Sequence, residues 1–238
     1  MARLVLRVYT VRHGETVHNV DRRIQGPLLD DPLNARGKLQ AAALEARFAD
    51  AFAAKGERVA TVYTSPMKRA FETAEGVARG AQATLVRVPG LIEFSWGALL
   101  GQTEEGEVLA KMQRYHDRWR SGDVSLVVEG GGESPAGAFA RAWADLGPIV
   151  ARHAESSGDA TIAWVAHGRI LKILLATLVA GDVARMDDFP QGNTAVSLIE
   201  HDRKPPFDRG WRVVFVNDRS HAAGDDAADA KGRGPALV

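Results

Sequence analysis

The sequence predicts an α/β protein with three layers, in which helices cover both faces of a mostly parallel sheet. Short runs of β-branched and aliphatic residues alternate with longer segments whose apolar residues recur at helical spacing. Such alternation is typical of parallel strands that are buried between two helical layers. Two of the apolar runs, 4–11 and 160–166, also stop at a polar sequence that contains a His-Gly pair.

Each predicted element rests on its composition and on the residues that bound it. Strands are predicted where β-branched and aliphatic residues cluster, over 4–11, 59–64, 84–88, 160–166, 194–200 and 211–216. Helices are predicted from apolar spacing, over 38–54, 65–78, 104–120, 135–154 and 170–179. Ser65 and Ser134 each precede a proline, as expected for an N-cap followed by proline at the first helical position. The main domain is predicted over 1–218, and the Ala/Gly/Asp-rich segment 219–238 is predicted to be a disordered tail.

The composition excludes several classes of function. Among 238 residues, Lys plus Arg and Asp plus Glu both total 30, so a neutral chain gives no global attraction for nucleic acid or for an anionic membrane. The absence of cysteine excludes disulfides, thiolate metal sites and cysteine nucleophiles. Neither a signal peptide nor a membrane-spanning stretch is recognisable. We therefore expect a cytoplasmic protein without a nucleic-acid or membrane partner, whose oligomeric state stays open.

Three polar segments are expected to meet at one edge of the sheet. Arg12-His13-Gly14 follows the first predicted strand, the segment 65–69 follows the second, and His167-Gly168 follows the fourth. Ligands of open parallel sheets bind at the carboxyl ends of the strands. A single histidine such as His167 is more often a structural loop residue. A functional role is favoured here because both His-Gly pairs follow the ends of apolar strands.

Two charged residues extend this candidate site, and each also has a plain structural interpretation. Arg69 falls in the first turn of a predicted helix, where a further positive charge is unfavourable unless an anion binds there. Glu93 is a carboxylate among apolar loop residues, a setting in which most carboxylates are merely solvated. The seven histidines show no i, i+4 pair, so a metal site is not expected. Residues 130–132 lack the spacing of a dinucleotide-binding motif.

At these residues the sequence resembles the histidine phosphatase superfamily, in its phosphoglycerate-mutase-like branch with fructose-2,6-bisphosphatase-type phosphatases. The resemblance runs in the family's order from about Val5 to Ser197. Its motifs are Arg12-His13-Gly14-Glu15-Thr16, residues 65–74, Glu93 before Trp96-Gly97, Gly131-Gly132-Glu133-Ser134 and Val165-Ala166-His167-Gly168.

The resemblance implies a phosphoglycerate-mutase-like fold, a small phosphorylated substrate, no cofactor and no metal. It implies that His13 is phosphorylated, that Arg12, Arg69 and His167 form the phosphate pocket, and that Glu93 is the proton donor. Asn19 would be a further phosphate contact. Gln25 and Gly26 would line the mouth of the site, and Gly168 is counted with these substrate-binding residues.

The proposed chemistry requires this set of groups. A neutral imidazole must attack phosphorus, and the cations of Arg12 and Arg69 should lower the pKa of His13, with a protonated His167 adding to the effect. The same cations would stabilise the charge on the phosphoryl oxygens in the transition state. Glu93 would protonate the leaving alkoxide and afterwards activate water.

Three functions are compatible with the residues. A phosphatase is favoured over a phosphoglycerate-type mutase, because the resembling mutases carry a long insertion where only 37 residues, 94–130, separate Glu93 from Gly131. A phosphate-binding module without catalysis is the third possibility. Loss of Arg12, His13, Arg69 or His167 would mark such a module, and all four residues are present. Basic residues such as Lys111 and Arg114 on helix 104–120 suggest further contacts to a doubly anionic substrate, provided that they lie near His13.

Overall fold

A six-stranded sheet forms the centre of the protein. The computed structural model describes residues 4–55 and 58–222. The strands are β1 Leu6–Arg12, β2 Thr61–Thr64, β3 Thr84–Arg87, β4 Ala160–Ala166, β5 Val196–His201 and β6 Arg212–Asp218. Their order across the sheet is β3-β2-β4-β1-β5-β6. The pairs β2–β3, β2–β4 and β1–β4 are parallel, whereas β1–β5 and β5–β6 are antiparallel. The sheet is therefore mostly parallel, with two antiparallel strands at one side.

In the described ranges, six α-helices connect and cover these strands. They are α1 Val17–Val20, α2 Ala35–Lys55, α3 Lys68–Ala81, α4 Gly106–Arg120, α5 Pro135–Ala154 and α6 Gly168–Leu175. Short 3₁₀ helices cover Pro89–Leu91, Gly97–Leu99, Val183–Asp188 and Ser220–Ala222, and a π-helical turn, Ala176–Ala180, continues α6. No helix of the described residues is long and apolar enough to cross a bilayer.

Alternate residues of the strands point into two separate cores. On β4, Ile162, Trp164 and Ala166 belong to a core that includes α5 and α6, whereas Ala163 and Val165 belong to a second core with α2 and α3. Successive side chains of a strand point to opposite faces of the sheet, so both faces of β4 are buried under helices. This arrangement confirms the predicted three-layer α/β/α fold.

The start of α3 differs from the prediction. The helix begins at Lys68 with Met67 as its N-cap, and no side chain caps it. The predicted N-cap, Ser65, lies before the helix, and its Oγ is hydrogen-bonded to His167 Nε2 at 2.8 Å. The serine is therefore part of the candidate site rather than of the helix end. The predicted Ser134 cap of α5 is confirmed, because its side chain accepts a hydrogen bond from the backbone N–H of Gly137.

The disordered tail, predicted over 219–238, was placed too early in the sequence. Residues 219–222 are folded, with a 3₁₀ helix at Ser220–Ala222 in which Ala222 is buried. Arg47 of α2 holds this end of the chain through Asp218 Oδ2 at 2.7 Å and His221 Nδ1 at 3.1 Å. The rest of the predicted tail, 223–238, lies outside the described residues.

Candidate active site

The polar segments after β1, β2 and β4 meet at one edge of the sheet, as predicted. His13 directly follows β1 and His167 directly follows β4, and because these strands pair in parallel, their ends coincide, with Arg12 opposite Ala166. The two imidazole rings lie 5.2 Å apart between centroids, and both are buried. Ser65, after β2, contacts the ring of His167. The candidate site is thus built from three neighbouring strand ends.

The tautomer of His13 follows from its hydrogen bond. Its Nδ1 lies 2.7 Å from the carbonyl oxygen of Gly14. A carbonyl oxygen can only accept, so Nδ1 carries the proton and Nε2 carries the lone pair of the neutral ring. His13 also lines the cavity described below. Its ring is therefore oriented as a nucleophile at Nε2 would need to be.

The backbone around His13 is fixed by two separate parts of the chain. Its carbonyl oxygen accepts hydrogen bonds from Asn193 Nδ2 at 3.1 Å and from the backbone N–H of Thr194 at 3.3 Å. The N–H of Gly14 donates to Thr73 Oγ1 of α3 at 3.0 Å. Because buried backbone groups are satisfied on both sides of the ring, the loop has little freedom to move.

His167 has one partnered nitrogen and one without a partner. Its Nε2 lies 2.8 Å from Ser65 Oγ. Its Nδ1 is buried and has no hydrogen-bond partner among the described residues. A buried polar atom without a partner is unfavourable, and in a binding site it marks a position where a ligand atom would bind.

Two arginines bring positive charge to the imidazoles. Arg12 donates from Nη1 to the carbonyl oxygen of Gln191 at 2.7 Å. Arg69 is completely buried and donates from Nη1 to the carbonyl oxygen of Leu29 at 2.7 Å. The Nε of Arg69 is a second buried atom without a partner in the described part of the chain. A buried guanidinium with an open donor suits a site that binds an anion.

Both imidazoles are neutral at pH 7. Burial, followed by the charges of Arg69 and Arg12, holds the pKa of His13 well below its ordinary value of 6.5. Burial and the charge of Arg69 lower the pKa of His167 in the same way. The expected direction for His13 is therefore confirmed, but burial is a larger cause than the arginines. The suggestion that a protonated His167 contributes is wrong, because the same burial and charges keep His167 neutral.

Glu93 is held at the N-terminus of α6. Its Oε1 accepts from the backbone N–H of Phe94 at 2.8 Å and of Ile170 at 3.1 Å, and its Oε2 accepts from the N–H of Arg169 at 3.3 Å. The first N–H groups of a helix have no partner within the helix, and a carboxylate is favourable there. Glu93 therefore belongs to the site at the end of β4, although it lies on a distant loop.

An ion pair behind the site supports the loop of Glu93. The guanidinium of Arg141 donates to both carboxylate oxygens of Glu133, at 2.7 and 3.1 Å, and to the carbonyl oxygen of Gly90 at 2.7 Å. Glu133 in turn accepts from the N–H of Ser95 at 2.9 Å. Bidentate pairs of this kind have a defined geometry. The Gly-Gly-Glu-Ser motif thus positions the loop that carries Glu93.

A cavity of about 320 Å³ opens beside these groups. Of the predicted site residues, six line it, namely Arg12, His13, Asn19, Gln25, Glu93 and Gly168. Arg69 and His167 are fully buried and are not among the lining residues, so they lie below the cavity surface. The predicted roles of these residues in binding and catalysis remain predictions.

The two predicted glycines have different positions. A Cβ on Gly168 would lie 3.3 Å from Arg12 Nε and 3.5 Å from its Cζ, so the small residue leaves room for the guanidinium. Gly26 is buried, and a Cβ there would lie 2.3 Å from the Leu100 side chain. Gly26 therefore packs against the loop behind the cavity and does not line it, in contrast to the expectation.

The prediction for helix 104–120 is wrong in its detail. Lys111 forms an ion pair with Glu129, Arg114 is exposed, and neither lines the cavity. The helix contributes Met112 to the cavity wall instead. Within the described ranges, no group of three or more His, Cys, Asp or Glu residues is arranged to hold a metal ion.

Among the polar residues of the cavity that were not predicted from the sequence are Arg169, Lys172 and Gln191. Arg169 and Lys172 follow the second His-Gly pair and are three residues apart on α6, so their helical spacing could have indicated a shared face. Gln191 precedes β5 in an irregular loop, and nothing in the local sequence places it beside the histidines.

The buried neutral histidines predict a loss of stability in mild acid. His13, His167 and His116 all have a lowered pKa, which burial brings to about 3 for His116. Below pH 6.5 these residues bind protons in the unfolded chain but not in the folded one, so the free energy of unfolding falls as the pH falls. Each contributes roughly 1.4 kcal/mol per pH unit. Urea denaturation at pH 7.5 and 5.5 measures this, and a pH-independent value would contradict it.

Comparison with known proteins gives the family. Residues 8–219 match the model of the histidine phosphatase superfamily (branch 1). The probable phosphoglycerate mutase GpmB of Proteus mirabilis (strain HI4320) is 29% identical over 220 residues, which cover 91% of this chain and 95% of that protein. A mycobacterial glucosyl-3-phosphoglycerate phosphatase solved with VO3 is 27% identical, with a TM-score of 0.74 over 91% of this chain and 99% of that one. Bacillus stearothermophilus YhfR is 29% identical, with a TM-score of 0.70 over 91% and 98%.

Proposed function

Because this chain belongs to the histidine phosphatase superfamily, we propose that it hydrolyses a small phosphomonoester through a phosphohistidine on His13. The observation that carries the proposal is the meeting of two buried neutral imidazoles and two guanidinium groups at one edge of the sheet. A neutral imidazole is a nucleophile, and guanidinium groups bind phosphate. Together they match the needs of phosphoryl transfer.

In the first step, His13 Nε2 attacks phosphorus. An N–P bond forms, the bond between phosphorus and the ester oxygen breaks, and the leaving oxygen takes a proton. The hydrogen bond from His13 Nδ1 to the Gly14 carbonyl supports this step, because it directs the lone pair to Nε2 and stabilises the positive charge that develops on the ring.

Arg12, Arg69 and His167 would hold the oxygens of the transferred phosphoryl group. Arg12 borders the cavity, and the unpartnered atoms Arg69 Nε and His167 Nδ1 are polar positions that an oxyanion could satisfy. For His167 to donate from Nδ1, Ser65 Oγ must donate to its Nε2, which the 2.8 Å contact permits. Asn19 and Gln25 line the same cavity and would contact the substrate from the α1 side.

Glu93 would supply the proton for the leaving oxygen and later remove one from the attacking water. The negative charge of the incoming phosphate beside it favours the protonated carboxyl. In the second step, a water oxygen attacks phosphorus and the N–P bond breaks, which releases phosphate and restores neutral His13. The three backbone N–H groups around Glu93 fix its position in both steps.

A mutase is the second candidate, because relatives that are 29% identical carry the name of a probable phosphoglycerate mutase. A mutase must return the phosphoryl group before water reaches the intermediate. In this chain, residues 94–130 supply only one 3₁₀ turn, Gly97–Leu99, and the helix α4 near the site. We therefore favour hydrolysis over transfer back to the substrate.

Phosphate release from a panel of about thirty phosphorylated metabolites, with chelator present, tests the proposal. We expect hydrolysis of at least one phosphomonoester, and less interconversion of 2- and 3-phosphoglycerate than phosphate release from either. Interconversion that exceeds release would favour the mutase, and no turnover on any compound would favour a binding module.

The balanced charge and the absence of cysteine also support a cytoplasmic protein without a nucleic-acid partner.

A further inference from the structure

A second group of positive charges lines the same cavity. Arg169 and Lys172 lie on α6, immediately after His167-Gly168, and both border the cavity. Their side chains meet at Asp187, whose Oδ1 lies 3.1 Å from Arg169 Nη1 and 3.1 Å from Lys172 Nζ. The proposed catalytic steps use neither cation.

Arg169 is held in a defined orientation by three neighbours. Besides Asp187, its Nη2 lies 2.9 Å from His116 Nε2, and its Cζ lies 5.4 Å from the centre of the Trp96 ring. Burial and the charge of Arg169 lower the pKa of His116 to about 3, so its ring is neutral and Nε2 accepts the hydrogen bond. The guanidinium has five N–H donors, and these contacts use two of them.

The positive charge of this group exceeds its negative charge. Burial, ahead of the charge of Arg169, lowers the pKa of Lys172 to about 8, so the amine is still mostly protonated at pH 7. Asp187 pairs with Arg169 and Lys172, and Arg120 lies a further 3.6 Å from its other oxygen. One carboxylate thus serves three cations, so this ion-pair group carries net positive charge.

The cavity also contains a buried amide without partners among the described residues. Gln191 is 2% exposed and lines the cavity, and neither its Oε1 nor its Nε2 has a hydrogen-bond partner among the described residues. Gln191 also contacts a residue of the proposed phosphate pocket, because Arg12 Nη1 donates to its carbonyl oxygen. An unsatisfied buried amide costs free energy, and a bound polar group would remove that cost.

We propose that Lys172, Arg169 and Gln191 form a second subsite of the catalytic cavity, which binds an anionic group of the substrate other than the phosphoryl group that is transferred. This inference rests on the proposed function. All three side chains can donate N–H groups, and two of them are cationic donors that cannot accept. Such a subsite selects an acceptor-only group, either a carboxylate or a second phosphate, over a neutral hydroxyl.

Two matched substrate pairs test the subsite. 3-Phosphoglycerate and glycerol 3-phosphate differ in a carboxylate, and fructose 1,6-bisphosphate and fructose 6-phosphate differ in a second phosphate. In the wild type, we expect kcat/KM to be about 10- to 100-fold higher for the anionic member of at least one pair. The Lys172→Met variant should lower that ratio about 10-fold or more, because it removes one cationic donor of the subsite. Arg169 still pairs with Asp187 in this variant, so we expect the fold to be retained.

Gln191→Leu is the second variant, and it leaves every ion pair of the group intact. We expect it to lower the same ratio by about 3- to 10-fold. Arg114→Met is the matched control, because it removes an exposed cation that does not line the cavity. Its ratio should equal that of the wild type, and thermal unfolding confirms that each variant is folded.

The pair whose ratio falls shows whether the subsite takes a carboxylate or a phosphate. The subsite is refuted if the wild type and both variants hydrolyse the substrates with the same ratios. Failure of the proposed function is a different result, since no phosphate would then be released from any compound of the panel.

Discussion

Replacement of His13 by alanine is expected to lower kcat/KM by roughly 10⁴-fold or more for every phosphomonoester that the enzyme hydrolyses. The variant lacks Nε2, the proposed nucleophile. In the wild type, Nε2 carries the lone pair because Nδ1 donates its proton to the Gly14 carbonyl. Arg12, Arg69 and Glu93 would remain, but they stabilise a transfer that has lost its acceptor. Phosphate release over a range of enzyme concentrations measures the effect.

His18→Ala is the matched control for this variant. His18 lies five residues further on, in α1, where its Nδ1 is 2.7 Å from Asp31 Oδ2, and it does not line the cavity. We expect turnover within about 3-fold of the wild type. Thermal unfolding should show that both variants are folded. A His13→Ala variant that keeps more than about a tenth of wild-type turnover would mean that another group is the nucleophile.

Glu93→Gln is expected to have a large effect that depends on the leaving group. For alkyl phosphates, whose alkoxide must be protonated, kcat/KM should fall by roughly 10²- to 10⁴-fold. For p-nitrophenyl phosphate, whose phenolate leaves without a proton, the loss should be less than about 10-fold. The value of kcat/KM reports the transfer to His13 and does not depend on the later attack of water.

The amide of this variant can still accept from Phe94 and Ile170, so it gives up only the 3.3 Å contact with the Arg169 N–H. Glu107→Gln, an exposed change in the first turn of α4, is the control and should leave both substrates unaffected. An equal loss on alkyl and aryl phosphates would argue that Glu93 supports the structure of the site instead of donating a proton.

Much of the fold and the centre of the site could be predicted because they depend on local patterns. Apolar runs identify β1 and β4, and the parallel pairing of these strands brings the residues after them together. The predicted meeting of His13 and His167 needed no knowledge of any side-chain direction. Ser134 was recognised because an N-cap and the proline after it are adjacent in sequence.

The remaining features depend on contacts between distant segments. Ser65 was predicted to cap a helix, and only the folded chain shows that its Oγ contacts a histidine 102 residues away. The neutrality of His167 follows from complete burial, which a motif does not report. Asp187, which orients Arg169 and Lys172, lies in a 3₁₀ helix without any sequence signal.

The end of the domain was misjudged for a similar reason. Residues 219–222 have the composition of a tail, yet Arg47 on α2 pairs with Asp218 and contacts His221. Composition describes the average burial of a segment and does not reveal a partner on a distant helix. The same limit explains why Lys111 on α4 suggested a substrate contact, whereas it pairs with Glu129.

Direct chemical identification of the phosphorylated residue is the most decisive measurement. The enzyme is mixed with a ³²P-labelled substrate and quenched in alkaline detergent, because the N–P bond of phosphohistidine survives base and is lost in acid. Peptide mapping should then place the label on His13 in the wild type and in His18→Ala, with none in His13→Ala. Label on any other residue, or rapid turnover that never yields a labelled protein, would contradict a mechanism through His13.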